Sequence, residues 1–597
     1  MARKAQKNGD ADEASNVVEV RPATAFSLPS DPVLLVKKAN EIIEACRASS
    51  AARAAYCRQL NAIIETGRQD GTRSLINMLY VHHDRLAAYL FSAIGLKFAI
   101  DFENDYPLET LDRAKVVSRR LQRDFENLSA DVSFGMGVFE ALKYGACIFK
   151  QWPQQEGADR LPVIHHSLVM PWQFGVYNES IGELSRQPAM VETINLTLPE
   201  VWRRISHLPN ANDLFSRIKS HATRGQVADE FQSFFHQVLS TSTLNTGNTG
   251  LSRPTPGGVV QLNNDANYAM TGPSIAVDLI KMHELWLWDD RDYVTIQIIE
   301  PDILIAPLYK RTNLLAPGQL FTGLHPYTLI QPNKMAGYIW GRPEVVDLME
   351  PQGLLSTWAD DIKRLFGLQI DKLVAFSGAD GVTDEMYDQF RAAGYVNLGP
   401  NGTVNDLTPK LPPESLQMLQ FIMKVIDMLG GFDNILSGQG EAGVRAGNHA
   451  NTLMKTASPR IKDRSLTVER QCAEAADLRL ALLELKDGRN YWTDPDKIGE
   501  TSFLLSDLPE DRRVVVDGHS SSPIFSDDHK DLIGAAAKEG LVDGEYMLEN
   551  LDFPNKDDAI RKWKIKQIQQ AEERQKIMET LKSDPTALVQ YLKADKR

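Results

Sequence analysis

The chain has 597 residues, 43% of them hydrophobic and 24% charged, which excludes a disordered polymer and predicts several folded domains rather than one. Its formal charge of −14 argues against a protein that grips nucleic acid, because such binding needs a basic footprint. The same charge suits either plain solubility or an acidic wall past which DNA slides.

Residues 1–30 are polar and charged without periodicity and are expected to be disordered. Amphipathic helices are predicted over Pro32 to Ala52, Ala54 to Thr66 and Ser74 to Ile94, with one or two more over Leu108 to Lys150. Phe139 to Trp152 reads as helix, glycine turn at Gly145, then strand, and Leu161 to Val176 adds strand broken at Pro171. Residues 197–240 look helical, and 241–275, rich in Ser, Thr, Asn, Gly and Pro, read as a long loop. Met282 to Asp290 and the alternating Tyr293 to Ile299 predict a hairpin.

Further on, Tyr338-Ile339-Trp340-Gly341-Arg342-Pro343 is an aromatic turn leading into a helix, with Trp340 a core or interface aromatic. That helix, Pro351 to Gly367, carries Leu354, Leu355, Trp358, Ile362, Leu365 and Phe366 at helical spacing. Residues 371–413 hold short strands and a helix, Thr383 to Ala393. A second helix, Glu414 to Leu429, shows an apolar stripe of Leu416, Leu419, Met423, Ile426 and Leu429 and stops at Gly430-Gly431. A loop with Gly438, Gly440, Gly443 and Gly447 follows, then a polar-rich helix from His449 to Glu484 interrupted by Ser458-Pro459. Pro459 removes a backbone hydrogen bond and is expected to kink it. Tyr491 to Val516 returns to short strands, and the chain is helical from Ser526 onward.

Catalytic signatures are missing. There is no GxxxxGK[ST] phosphate loop, and the GxG in Phe134 to Val138 lacks a third glycine and lies in a helical pattern. The residues of each pair His82-His83 and His165-His166 point to different sides of a helix or strand and cannot easily share one metal, so they read as solvated or capping residues rather than metal ligands. No cofactor and no metal are expected, and the protein reads as a non-enzyme. The cysteines Cys46, Cys57, Cys147 and Cys472 have no paired spacing and read as free thiols of a reducing cytosol. The N-terminus lacks the apolar core of a secretory signal, and no apolar run approaches a membrane span, so no membrane contact is expected.

A glycine-rich loop between two helices, one unusually long, is a mechanical arrangement more than a catalytic one. The segment Gly431 to Asn448 resembles the tunnel loop of the portal proteins of tailed double-stranded-DNA bacteriophages, and the order of elements from about residue 31 onward resembles that family too. The resemblance implies an α+β, mostly helical portal-protein architecture with a long kinked spine helix, assembled as a ring, typically of twelve subunits. It divides the chain into a disordered tail (1–30), a wing (31–343, with a flexible insertion around 241–275), a stem helix (344–370), a clip (371–413), a second stem helix (414–433), a tunnel loop (434–448), a spine helix (449–486), a wing return (487–519) and a crown (520–597).

The function so implied is the channel at one capsid vertex through which genomic DNA is packaged and ejected. The implied partners are further copies of the chain, the terminase large subunit, head-completion and adaptor proteins, major capsid and scaffolding proteins, and passing double-stranded DNA. The implied location is the virion's portal vertex, with the host cytoplasm during assembly. The implied DNA-facing residues are Gln439, Glu441, Arg445 and His449 at the loop and Lys363 and Arg364 on the first stem helix, with Pro459 as the spine kink. Arg445 fits equally well in an ion pair with a carboxylate of its own or a neighbouring subunit. The alternative reading is another structural virion protein, a minor head protein without a channel.

Overall fold

The structure is a computed structural model. It describes residues 24–69, 74–93, 96–154, 163–226 (except 207 and 209), 276–289, 293–300, 302–304, 309–310, 325–370, 374–377, 403–410, 412–431, 459–484, 491–492, 502–509 and 511–516, with isolated positions at 388, 536, 562, 563, 565–567 and 569. The expected insertion at 241–275, the clip helix Thr383 to Ala393, the loop 434–448 and the terminal helices from Ser526 lie outside the described residues.

Helix and sheet are mixed. In chain order come α1 (Pro32–Arg47), α2 (Ser50–Thr66), α3 (Met78–Leu90), β1 (Phe98–Phe102), α4 (Leu108–Asn127), α5 (Ala130–Tyr144), β2 (Cys147–Gln154), β3 (Val163–Val169), β4 (Phe174–Val176), β5 (Ala189–Thr197), α6 (Leu198–Ile205), α7 (Ala211–Lys219), β6 (Thr223–Gln226), β7 (Ala276–Trp288), β8 (Tyr293–Ile299), β9 (Ile303–Leu304), β10 (Tyr309–Lys310) and β11 (Tyr327–Ile330). Then follow α8 (Met349–Ile370), β12 (Val374–Ser377), β13 (Thr403–Asp406), α9 (Ser415–Gly430), α10 (Pro459–Glu484), β14 (Tyr491–Trp492), β15 (Ser502–Phe503) and β16 (Arg512–Val516).

The first two helices meet earlier than the sequence pattern predicts. α1 opens under an Asp31 cap that accepts from the Val33 N–H, with Pro32 where no N–H is needed. It ends at Arg47, so Arg53 sits inside α2, buried, donating to the carbonyls of Pro171 (2.9 Å) and Phe174 (3.0 Å). The guanidinium lies 3.7 Å over the Trp340 ring and pairs with Glu179 at 2.5 Å, and Trp340 Nε1 donates to the same carboxylate at 2.9 Å. Tertiary partners, rather than local pattern, decide where this break falls.

An antiparallel seven-stranded sheet runs β10-β8-β7-β5-β4, with β6 on β7 and β9 on β8. The expected hairpin is its centre, β7 against β8 in register Leu285↔Ile296 and Trp286↔Thr295. Alternation places Val191, Leu285 and Ile296 on one face, where α1 covers them with Leu35, Ala39, Ile42, Ile43 and Cys46. The opposite face is split. Its outer part packs against α6 and α7 through Val201, Ile205, Leu214 and Ile218, and another part carries Met190, Trp286, Trp288 and Tyr293.

A second core joins α3, α4, α5 and α10 to the sheet β11-β2-β3 and the β1-β16 pair, centred on Phe125, Phe134, Phe149, Val468 and Cys472. The predicted helix-glycine-strand turn is present. Gly145 has φ 95°, and a Cβ there would meet the Trp340 carbonyl oxygen at 2.5 Å. The GxG sits within α5, where Gly137 lets Ile330 and Leu168 approach. Arg479 of α10 is wholly buried, donating to Asp124 Oδ2 at 2.8 Å, Gln151 Oε1 at 3.2 Å and the Ile164 carbonyl at 3.3 Å. All four cysteines are free and buried.

Candidate functional site

α8 and α9 form an antiparallel hairpin that leaves this core. At 22 and 16 residues they span about 33 and 24 Å. Beyond α8, β12 pairs with β13 in a two-stranded ribbon, and Gln369 Nε2 donates to the Pro409 carbonyl at 3.3 Å. The inner seam joins Leu355 of α8 to Ile422 and Ile426 of α9, packed on Ile63 of α2, Leu79 of α3 and Leu348. Each such apolar side chain contributes about 1.5–3 kcal/mol of burial.

The seam of α9 keeps the middle of the expected stripe, with Ile426 buried and Leu419 and Met423 half-buried against it, but not its two ends. Its buried positions are Ser415, Ile422, Ile426 and Gly430, while Leu416 and Leu429 are exposed.

The base of α8 is held by polar contacts. Gln352 accepts from the Met78 N–H at 3.0 Å and donates to the Ile76 carbonyl at 2.8 Å. The Ser356 hydroxyl lies 2.8 Å from that of Ser74 and donates to the Gly67 carbonyl at 3.2 Å. Arg68 pairs with Asp360 one turn further along.

The base of α9 ends against a histidine. His82 of α3 lies so close to Gly430 that a Cβ there would stand 2.0 Å from the ring's Cε1. Gly431 then takes φ 81°, the left-handed close of a helix. On the other side, His82 Nε2 is 3.7 Å from Glu344 Oε1, and Glu344 Oε2 is 2.9 Å from Arg464 of α10 and 2.9 Å from Asn333 Nδ2. Arg460 reaches the Leu429 carbonyl at 3.3 Å. The turn before α8, the end of α9 and the start of α10 thus meet at one polar clasp, in which His82, Glu344 and Arg464 are buried.

Burial alone would raise the pKa of Glu344. The His82 ring 3.7 Å away, the charge of Arg464 at 2.9 Å and the hydrogen bond from the Asn333 amide outweigh it and hold the carboxyl at about 2. His83 is pushed down to about 4 by burial and then by the charge of Lys143, and its Nε2 is 2.9 Å from the Phe139 carbonyl. Both histidines are buried, at 2% and 0% exposure, which corrects the expectation of solvated or capping residues. Adjacent helical positions face different neighbours, and both neighbours here are interior. At the other pair, His166 Nε2 lies 2.9 Å from Ser133 Oγ and His165 stacks on Trp152.

Lys363 and Arg364 both lie on the exposed side of α8, away from Ile362, and Arg364 lies 3.8 Å from Asp361 on that surface. Such an exposed pair stabilises little and leaves the cation available. Pro459 is the first residue of α10, while Gln439, Glu441, Arg445 and His449 lie outside the described residues, as does any helix preceding Pro459. Sequence reasoning missed the clasp. Its one trace in the sequence is Gly430, where the local pattern signals only a helix stop.

Among the described residues no group of three or more His, Cys, Asp or Glu side chains could hold a metal ion. None of the described helices is long and apolar enough to cross a membrane. No model of a known protein family matches the chain, and none of the curated proteins searched matches it.

Proposed function

We propose that this chain is the subunit of a portal ring, a non-enzymatic DNA channel at one capsid vertex of a tailed double-stranded-DNA bacteriophage. The observation that carries the proposal is the outer surface of the hairpin. Phe421 and Met428 of α9 are 59% and 66% exposed, and Leu354, Phe366, Leu416 and Leu429 are exposed as well. A lone chain holds these side chains in water, whereas neighbouring hairpins packed side by side would cover them.

In this reading α8 and α9 are the stem helices of the wall, and Lys363 and Arg364 add cationic belts to an otherwise acidic assembly. Weak, repeated contacts of that kind let phosphates pass without stalling. The ribbon β12–β13 and its surroundings would meet the terminase large subunit during packaging and the head-completion proteins afterwards. The loop containing Gln439, Glu441, Arg445 and His449 would stand against DNA. The clasp at His82, Glu344, Gly430 and Arg464 would then transmit force between channel wall and core. A solution mass by light scattering tests the proposal. A mass near twelve times 66.7 kDa is expected, and a monomer at every salt concentration would overturn it.

A further inference from the structure

The split face of the large sheet carries a polar rung between two apolar ones. The register aligns Glu192 of β5, Glu284 of β7 and Gln297 of β8, flanked by Met190, Trp286 and Thr295 on one side and Ile194, Met282 and Ile299 on the other. Lys150, from the sheet face of β2, reaches into this rung. Its Nζ lies 2.6 Å from Glu192 Oε2 and 2.9 Å from Glu284 Oε1. Tyr327 donates to Glu192 Oε2 at 3.0 Å, and Trp286 Nε1 donates to Glu284 Oε1 at 3.0 Å.

Beside this rung lies a cavity of about 310 Å³, bounded by Trp152, Ser167, Trp286, Thr295 and Leu482, with Arg204 of α6 also on its wall. That volume is at the lower end for small-molecule sites and admits a molecule of one or two rings. Three features define the guest. The four charged groups on the wall, Lys150 and Arg204 against Glu192 and Glu284, cancel, and both carboxylates already hold Lys150. Two indoles and Leu482 supply apolar surface. Thr295 is 1% exposed, and its Oγ1 has no hydrogen-bond partner among the described residues. A buried hydroxyl is normally satisfied, so this one points to a missing partner.

We propose that the cavity is a binding site for a small uncharged aromatic molecule of one or two rings whose single polar group bonds the Thr295 hydroxyl. An ion would be disfavoured, because the wall has no net charge to offset its desolvation. The site does not depend on the channel reading, since it lies between the sheet and β2, away from the hairpin.

The test is titration of the full-length protein with phenol and indole, and with benzoate and benzylamine as charged controls, followed by ligand-detected NMR. Phenol and indole are expected to bind saturably, one per chain, at least tenfold tighter than the charged probes. Thr295→Val keeps the shape and removes the hydroxyl. It is expected to weaken phenol about tenfold while leaving the free protein as stable to heat or more so. Ser167→Phe fills the cavity and is expected to abolish binding. Absence of saturable binding, equal binding of the charged probes, or unchanged phenol affinity in Thr295→Val would each overturn the proposal. Should Ser167→Phe fail to fold, the Thr295→Val result decides alone.

Discussion

His82 and Gly430 are in such close contact that the histidine ring occupies the place of a side chain at position 430, with 2.0 Å separating Cε1 from a Cβ built there. The last residue of the returning helix is therefore glycine for a packing reason as well as for helix termination. Gly430→Ala is expected to cost about 1–3 kcal/mol through overpacking. His82→Ala in the same chain should recover part of that loss, and a double-mutant cycle by chemical denaturation should give a coupling of about 0.5 kcal/mol or more. Additive effects would contradict the contact.

Glu344 joins His82 to Arg464, and its carboxyl is held at about 2 against an ordinary 4.5. A depressed acid adds stability that is fully present above about 4.5 and is lost as pH falls toward about 2. Glu344→Gln should flatten the stability profile in that window. At neutral pH it should cost about 3–5 kcal/mol, because Arg464 stays buried without its counter-charge. Denaturation midpoints between pH 2 and 7 provide the check. A profile as steep in the variant as in the wild type would refute the assignment.

Asp477 has the opposite sign. Burial, seconded by the charge of Glu474, raises its carboxyl from 3.8 to about 7, although the Val514 N–H bonds it at 2.6 Å. A raised acid subtracts stability as pH rises from 3.8 through about 7. Asp477→Asn keeps an acceptor for Val514 and should therefore stabilise the protein at pH 8 by on the order of 1 kcal/mol or more. Near pH 3 the gain should vanish. Equal effects at both pH values would show that charge is not the cause.

The exposed side chains of α9 separate folding from assembly. Phe421→Glu and Met428→Glu change surface positions, so thermal unfolding of the single chain should move by no more than about 0.5 kcal/mol. The same variants should lose the assembled mass in light scattering. Retention of a wild-type mass by the double variant would remove the hairpin surface from the interface.

What the sequence revealed follows from what is local. The turn Tyr144–Gly145–Cys147, the hairpin of Met282 to Ile299 and the stop at Gly430-Gly431 each rest on a few neighbouring residues, and each is present in the structure. β1 pairing with β16 joins Phe98 to Val516, and no local pattern announces a partner so far along the chain. The burial of Arg53 and His82 depends on carboxylates at Glu179 and Glu344, equally remote in sequence. For the candidate site, Lys363 and Arg364 fall on the exposed side of a helix as periodicity allows, but the contacts that fix its base, Gln352 with Met78 and Ser356 with Gly67, join residues far apart in sequence. The polar rung had one trace, Glu284 inside the apolar run from Met282 to Trp288.

The central claim is that the hairpins α8–α9 of many copies line one channel. Single-particle electron microscopy of the purified full-length protein tests it most directly. The account predicts closed rings of about twelve subunits with a central hole walled by paired helices. Compact monomers or dimers without a hole, under conditions where the chain is folded, would contradict it.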